Sequence, residues 1–341
     1  MHKETNLILC VLITLLLVGR GSATVIPALD LRSLVDAADI IAVGQITQIT
    51  DTGKMPMNIR GHDMLVSVMK VQIRVDKVIK GNSEANIEFQ LPLPEGMGYR
   101  SVPRDSYRLV FLKQEAGHLK PASPYYPSFP AVSDYSVRGG SPFEAVTGEI
   151  AAVLRSPHAP DSDKTEAIWR GLRWDLRTRE LDVIKQALQF AAVQDANVSV
   201  RMSAVATLLA QNDLSVLPLA EQALSSTGSA LPDDLRQNLS SSISEGVKGD
   251  AAVPTLTRLL ANPDVRVRRG ATMALRNTKT KRAIKGLTLA LDDSDNKVRY
   301  YAVIGLAETT GEKGWRPSEE MFKSNENQYL QHWKSKAVSP H

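Results

Sequence analysis

The 341-residue sequence holds a single cysteine, Cys10, and that scarcity excludes more than any motif present. A chain with one thiol has no internal disulfide framework and no cysteine-ligated metal centre. Histidine is nearly as uninformative. The six histidines are His2, His62, His118, His158, His332 and His341, and no two sit four apart as a zinc-binding helix would need. There is no G-x-S-x-G elbow and no glycine loop of the phosphate-cradling kind. Ser67 and Lys70 fit S-x-x-K on paper, but in an extended strand residues three apart point to opposite faces. These gaps predict a chain that is not an enzyme and holds no cofactor and no metal.

Charge of one sign is also lacking. There are 41 basic and 37 acidic residues, a net of +4. Removal of a leader carrying Lys3, Glu4 and Arg20 would leave a net of about +3, which argues against a nucleic-acid partner. Long apolar runs are limited to Leu7–Val18. Twelve residues are too few to span a bilayer as a helix. With Lys3 before the run and Gly21-Ser22-Ala23 after it, residues 1–23 read as a secretory signal cleaved after Ala23. The expected mature chain is secreted or periplasmic, free of thiols, and has no integral membrane segment. Such a chain must be held together by apolar burial, which its length permits.

What is present is repetition. Val253, Leu256, Leu260, Val267, Arg268, Ala271, Ala274 and Leu275 recur 31 residues later as Ile284, Leu287, Leu291, Val298, Arg299, Ala302, Gly305 and Leu306. One fixed period of two-helix length is the signature of a solenoid, whose units bury their apolar stripes against one another. Leu256, Leu259 and Leu260 make one helix face, and Pro263 stops that helix. Val267, Ala271, Ala274 and Leu275 line the second helix, with small residues allowing close approach. Val200, Arg201, Ala204, Thr207 and Leu208 form a third copy. The unit resembles the short HEAT repeat, with Asp before a Val-Arg pair and then A-x-x-[AG]-L, over residues 161–315.

Residues 24–122 have a different period. A short helix at Leu31, Leu34 and Val35 precedes the β-branched stretch Ile40–Ile49. Met69, Val71, Ile73 and Val75 alternate with polar residues, as do Ile87, Phe89 and Leu91, and Tyr107–Leu112 is an apolar run. Lys80-Gly81-Asn82 is a turn, and Pro92–Asp105 an insertion. About five strands in some ninety residues predict a small antiparallel barrel, closed or nearly so. Ala38–Gly44, Val78–Gly81 and Tyr107–Leu112 resemble the N-terminal module of a family of secreted bacterial proteins of unassigned role. That module is similar to OB-type barrels of the netrin and metalloproteinase-inhibitor sort. The inhibitors act through an N-terminal cysteine on zinc, and this chain offers none, so inhibition does not carry over.

Residues 123–160 form a junction. Its prolines, with Tyr125, Tyr126, Phe129 and Tyr135, either contact a sugar or peptide or fix the connector to a domain. Ser141-Pro142-Phe143-Glu144 starts a helix with a capping box, its stripe being Phe143, Val146, Ile150 and Val153. Trp169, Leu172 and Leu176 are expected on one apolar stripe of an opening helix. After Trp315, a helix carrying Phe322, Tyr329 and Trp333 should close the stack, making residues 316–341 a cap and tail.

The fold class expected is thus multidomain, a β-barrel followed by an all-α solenoid. Two functions fit: a protein-binding scaffold that uses the solenoid surface, or an oligosaccharide or peptide receptor that uses the barrel and the junction tyrosines; a third, an enzyme or lyase-like protein, has only the repeat resemblance behind it. Candidate binding residues are Arg266 and Arg269 for the first and Tyr125 and Tyr126 for the second. The arginines have a competing role, pairing with turn aspartates Asp264, Asp293 or Asp295. The cluster Asp292, Asp293 and Asp295 reads as helix N-caps rather than a calcium site.

Overall fold

The computed structural model describes residues 30–59, 62–93, 102–123, 126–135, 140–171, 178–226 and 231–337. The proposed leader, and with it the cleavage position, lies outside these. No helix among the described residues is long and apolar enough to cross a membrane.

Helix α1 (Leu31–Ala37) opens the described chain, capped by Asp30, and buries Leu31, Leu34 and Val35. Six antiparallel strands follow: β1 (Ile40–Ile59), β2 (His62–Lys80), β3 (Asn86–Leu93), β4 (Tyr107–Glu115), β5 (His118–Pro121) and β6 (Ser128–Pro130). They pair in the order β3-β2-β1-β4-β5, and β6 adds to β4. This is an open sheet, which corrects the barrel expectation. β3 and β5 approach with Cα pairs inside 8 Å, but no ladder joins them among the described residues. The reason lies in strand length. β1 and β2 run far beyond the expected Ile49 and Met69 as a two-stranded ribbon, while β4 pairs with β1 only over Ile40–Gln45. Four-residue β5 is too short to complete a cylinder.

Glycine is required at two places in the sheet. A Cβ on Gly44 would lie 2.0 Å from the Arg74 carbonyl oxygen, and Gly81 turns the β2–β3 connection at φ +74°. The sheet also recruits Ser128–Pro130 from the segment expected to be a connector, since Leu109 faces Phe129 across the β4–β6 ladder.

The helical part begins with α2 (Pro142–Arg155). Ser141 and Glu144 form the expected reciprocal cap, and Phe143, Val146, Ile150 and Val153 are buried. Next come α3 (Asp161–Gly171), α4 (Asp182–Gln194), α5 (Val198–Ala210), α6 (Leu217–Ser225), α7 (Asp233–Gly246), α8 (Val253–Leu259), α9 (Val265–Thr278), α10 (Ala283–Leu289) and α11 (Asn296–Thr310). Helices α3, α5, α7, α9 and α11 pack in succession as one layer. Helices α6, α8 and α10 follow one another in the other layer. Close approach depends on small residues: a Cβ on Gly246 would sit 2.1 Å from the Leu209 carbonyl oxygen.

The stack is closed by two helices where one was expected, α12 (Glu319–Ser324) and α13 (Glu326–Ala337). Phe322, Tyr329 and Trp333 are buried beneath them, and Trp315 stacks on His332 at 3.5 Å. Trp169 departs from its expected buried stripe: it is 48% exposed, and its partners Leu172 and Leu176 fall outside the described residues.

Two large cores organise the described residues, beside a small cluster of Val66 and Val68. One face of the sheet, with Ile46, Val71, Ile73, Phe89, Val110 and Leu112, has its own core. The other face, with Ile41, Val43, Leu109 and Phe111, belongs to a cluster that continues through α2 and along the helix stack to Trp333. The alternation along β1 and β4 therefore divides apolar side chains between a local core and a shared one.

Candidate interaction surfaces

The turn between the two helices of a unit is built three times from the same parts. Asp195, Asn262 and Asp293 each accept the backbone N–H two residues on, at 2.9, 3.0 and 2.8 Å. Asn197, Asp264 and Asp295 then cap α5, α9 and α11. The arginine after each valine reaches back to the turn carbonyls. Arg201 donates to those of Asp195 and Ala196, Arg268 to those of Asn262 and Pro263, and Arg299 to that of Asp293. Five fixed donors let one guanidinium satisfy turn carbonyls that lie between the two helices and belong to neither ladder.

Arg268 and its neighbours Arg266 and Arg269 also tie units together. Arg268 grips Asp293 through two bonds of 2.7 and 3.1 Å. Arg269 holds Asp295 at 2.9 and 2.6 Å. Arg266 forks onto Asp233 at 2.8 and 2.6 Å and also reaches Asp264. Bidentate contacts of this kind are the strong class of ion pair. They hold the Asp264, Asp233 and Asp295 carboxyls below the usual carboxylate range, through hydrogen bonds from Arg266 to the first two and from Arg269 to the third. Arg266 and Arg269 keep partly exposed side chains, 33% and 39%, but their guanidinium groups are occupied within the chain.

Of the junction tyrosines, Tyr125 lies outside the described residues. Tyr126 is 8% exposed and stacks on Phe129 with centroids 6.3 Å apart. Phe129 in turn meets Phe111 edge-on at 5.7 Å. Tyr126 thus fastens the connector to the sheet and presents little surface to a ligand.

Sequence reasoning missed the charged groups between the sheet and the helices. Arg108 on β4 is 1% exposed and donates to Glu166 at 2.8 Å, to Asp163 at 3.5 Å and to the Ser106 hydroxyl at 3.0 Å. These residues line a cleft of about 710 Å³ with Asp134 and His158 on its rim. Burial pushes the Asp163 carboxyl up, against the pull of Arg108. Beside it, Lys77 of β2 donates to the fully buried Glu149 of α2 at 3.0 Å and to the Tyr135 carbonyl. Burial raises Glu149, whose second oxygen has no partner among the described residues. Burial likewise raises Tyr107, and Asp76, which accepts from its hydroxyl, adds to that. The available signal was an arginine inside the apolar run Tyr107–Leu112, because a charge there needs a buried counter-charge. Arg108 faces two carboxylates, so its charge is compensated within the chain, and the contacts join β4 to α3.

Comparison with known proteins accords with the internal repeat. A family model described as HEAT repeats matches residues 229–307. None of the curated proteins matches the chain. Among solved structures, the crystal structure of an engineered protein aligns with 16% identity and a TM-score of 0.36, over 58% of this chain and 59% of that one. The chain therefore spans less than two thirds of that structure. Residues 229–307 thus match HEAT repeats, in a chain that also holds an antiparallel sheet.

Proposed function

We propose that this is an exported, non-catalytic scaffold that binds a protein partner along its helix stack. HEAT repeats commonly serve protein interaction, and the match to such repeats supports the class. The observation that carries the reading is the continuous core running from the sheet face into the last helix. A shared core makes a stiff platform, and a stiff surface binds without the ordering cost of a flexible one. Export is supported by the basic start, the apolar Leu7–Val18 and the small residues Gly21-Ser22-Ala23 after it. Because Arg266 and Arg269 are held by aspartates, the partner is better sought on the open face of the second-helix layer, where Met273 and Tyr301 are half-exposed.

The test uses residues 24–341 immobilised against a cell-envelope extract, with cross-linking mass spectrometry on whatever is retained. Cross-links concentrated on α3 to α11, lost on Tyr301→Glu, support the proposal. Cross-links confined to the sheet, or turnover of a substrate by the purified chain, refute it.

A second reading rests on the cleft around Arg108, whose volume suits a small ligand. It would make the protein a receptor at the sheet–helix junction. Ligand-dependent protection of Asp134 and His158 from chemical footprinting would favour it.

A further inference from the structure

A groove in the second-helix layer combines features that helix packing does not use. Helix α5 is its floor, with α3 as one wall and α7 as the other, around a volume of about 200 Å³. Ser203, Ala206, Thr207 and Ala210 form the floor and share one face of α5 by their spacing of three and four. Asn238, Ser241, Ser242 and Glu245 form the α7 wall and are the same four positions, each 35 residues on. The next unit has Gly270, Met273, Ala274 and Asn277 there, at an offset of 32. A set of hydroxyls confined to two units is not something the repeat itself demands.

Three observations point to a ligand. Trp169 on the α3 wall is 48% exposed and makes no ring contact among the described residues. An exposed indole at the lip of a groove is an unfilled apolar platform. Ser203 is 8% exposed and lines the groove, yet its hydroxyl has no hydrogen-bond partner among the described residues; only its backbone carbonyl is used, by Thr207 at 2.9 Å. That hydroxyl is not sealed into the packing, so it is free to bond a molecule seated in the groove. Finally, Asn238, Ser242 and Glu245 also lack side-chain partners among the described residues, whereas Ser241 accepts from Gln237 at 3.2 Å.

We infer that this groove binds one pyranose ring of a neutral saccharide, stacked on Trp169 and hydrogen-bonded by Ser203, Asn238, Ser242 and Glu245. A pyranose has a flat C–H face and a rim of hydroxyls that both donate and accept. The indole matches the face. Serine hydroxyls and an asparagine amide supply both donors and acceptors, and the carboxylate accepts. The volume is below the ~300–1,000 Å³ of sites for drug-sized ligands, so it fits one ring and leaves the rest of a chain outside. A basic side chain is the poorer fit. It needs acceptors only, and it gains most where several aromatic faces or carboxylates converge. Here one of each is diluted among hydroxyl donors. The groove is separate from the turn arginines and from Tyr301, so it stands or falls independently of the protein-partner reading.

The experiment titrates residues 24–341 with maltotriose, cellotriose and chitotriose, and with an acetylated lysine tripeptide as the competing class. Saturation-transfer NMR and calorimetry read the result. At least one trisaccharide should bind, with saturation reaching its ring protons. Trp169→Ala should weaken that binding at least about tenfold (~1.4 kcal/mol), and so should Ser242→Leu, which fills the groove. Circular dichroism and melting should stay those of the parent, since both side chains are partly exposed. If one variant misfolds, the other decides. Glu245→Gln should change affinity less than about threefold, because an amide oxygen still accepts. The inference is overturned if none of the three trisaccharides binds, if binding ignores both groove variants, or if the lysine tripeptide binds in their place.

Discussion

Replacing Arg268 by alanine is the most direct way to ask whether the turn arginines hold the stack together. The side chain is 14% exposed and its partner Asp293 only 8%. Alanine removes two bonds to Asp293, one to the Ser294 hydroxyl at 3.3 Å and those to two turn carbonyls. It also strands a nearly buried carboxylate. Breaking a buried pair from one side costs about 3–5 kcal/mol. The residual exposure of Arg268 lets water reach part of the site, which lowers the expectation to about 2–3 kcal/mol. Urea denaturation followed at 222 nm would show this as a lower midpoint with an unchanged slope. Because neighbouring units are coupled along a stack, hydrogen exchange should localise the loss to α9 and α11. Arg268→Lys keeps the charge but not the fork and should lose roughly half as much. A cycle with Asp293→Asn should show coupling of about 1–3 kcal/mol. A loss under about 0.5 kcal/mol for Arg268→Ala, or no coupling in the cycle, would show that the arginine merely decorates the turn.

Acid should dismantle the same ladder. The carboxyls of Asp264, Asp295 and Glu308 are held down by Arg266, Arg269 and Arg276. Their stabilisation is therefore complete above the unfolded carboxylate values near ~4 and is lost as pH falls through the lower folded values. Melting temperature should drop steeply in that window, and Asp295→Asn should flatten the drop. Glu149 has the opposite sign, since burial favours its protonated form, so its cost appears as pH rises through its unfolded value toward its raised folded one. Glu149→Leu together with Lys77→Met should accordingly be neutral or stabilising at pH 7 by thermal melt, by about 0–3 kcal/mol. Gly246→Ala should destabilise by about 1–3 kcal/mol in urea, because its Cβ would strike the Leu209 carbonyl and push α7 from α5. Phe322→Ala should cost about 3–5 kcal/mol, with fraying detected first at α12 and α13 by hydrogen exchange.

The residues that were legible in advance share one property: their partners are near in sequence or repeat at a fixed step. The capping box at Ser141 and Glu144 and the caps at Asp264 and Asp295 are local hydrogen bonds. The pairing of arginines with turn aspartates follows from the 31-residue period, which places each arginine beside the next turn. Strand alternation at Ile73, Phe89 and Leu91 was likewise visible and is buried as expected. The failures share the converse property. Closure of the sheet depends on relative strand lengths, and beyond Ile49 the polar stretch Asp51-Thr52-Gly53-Lys54 interrupts the alternation before Met55, Met57 and Ile59 resume it. For Tyr126 the sequence left two roles open, ligand contact or fixing the connector, and only the pairing of β6 with β4, which draws it into the core, favours the second. Trp169 looked buried by its spacing, yet its face of α3 opens onto the groove.

By itself the sequence determined that there are two kinds of architecture in one chain, where the helix units begin and stop, and which side chains serve as caps, because these rest on periodicity and on contacts within a few residues. Tertiary structure alone decided that the sheet stays open, that Arg108 meets Glu166 58 residues away, and that Ser203, Asn238 and Trp169 face one groove. Those outcomes depend on how elements distant in sequence approach one another, and the free energy of that approach is shared among many weak contacts that no short stretch of residues encodes.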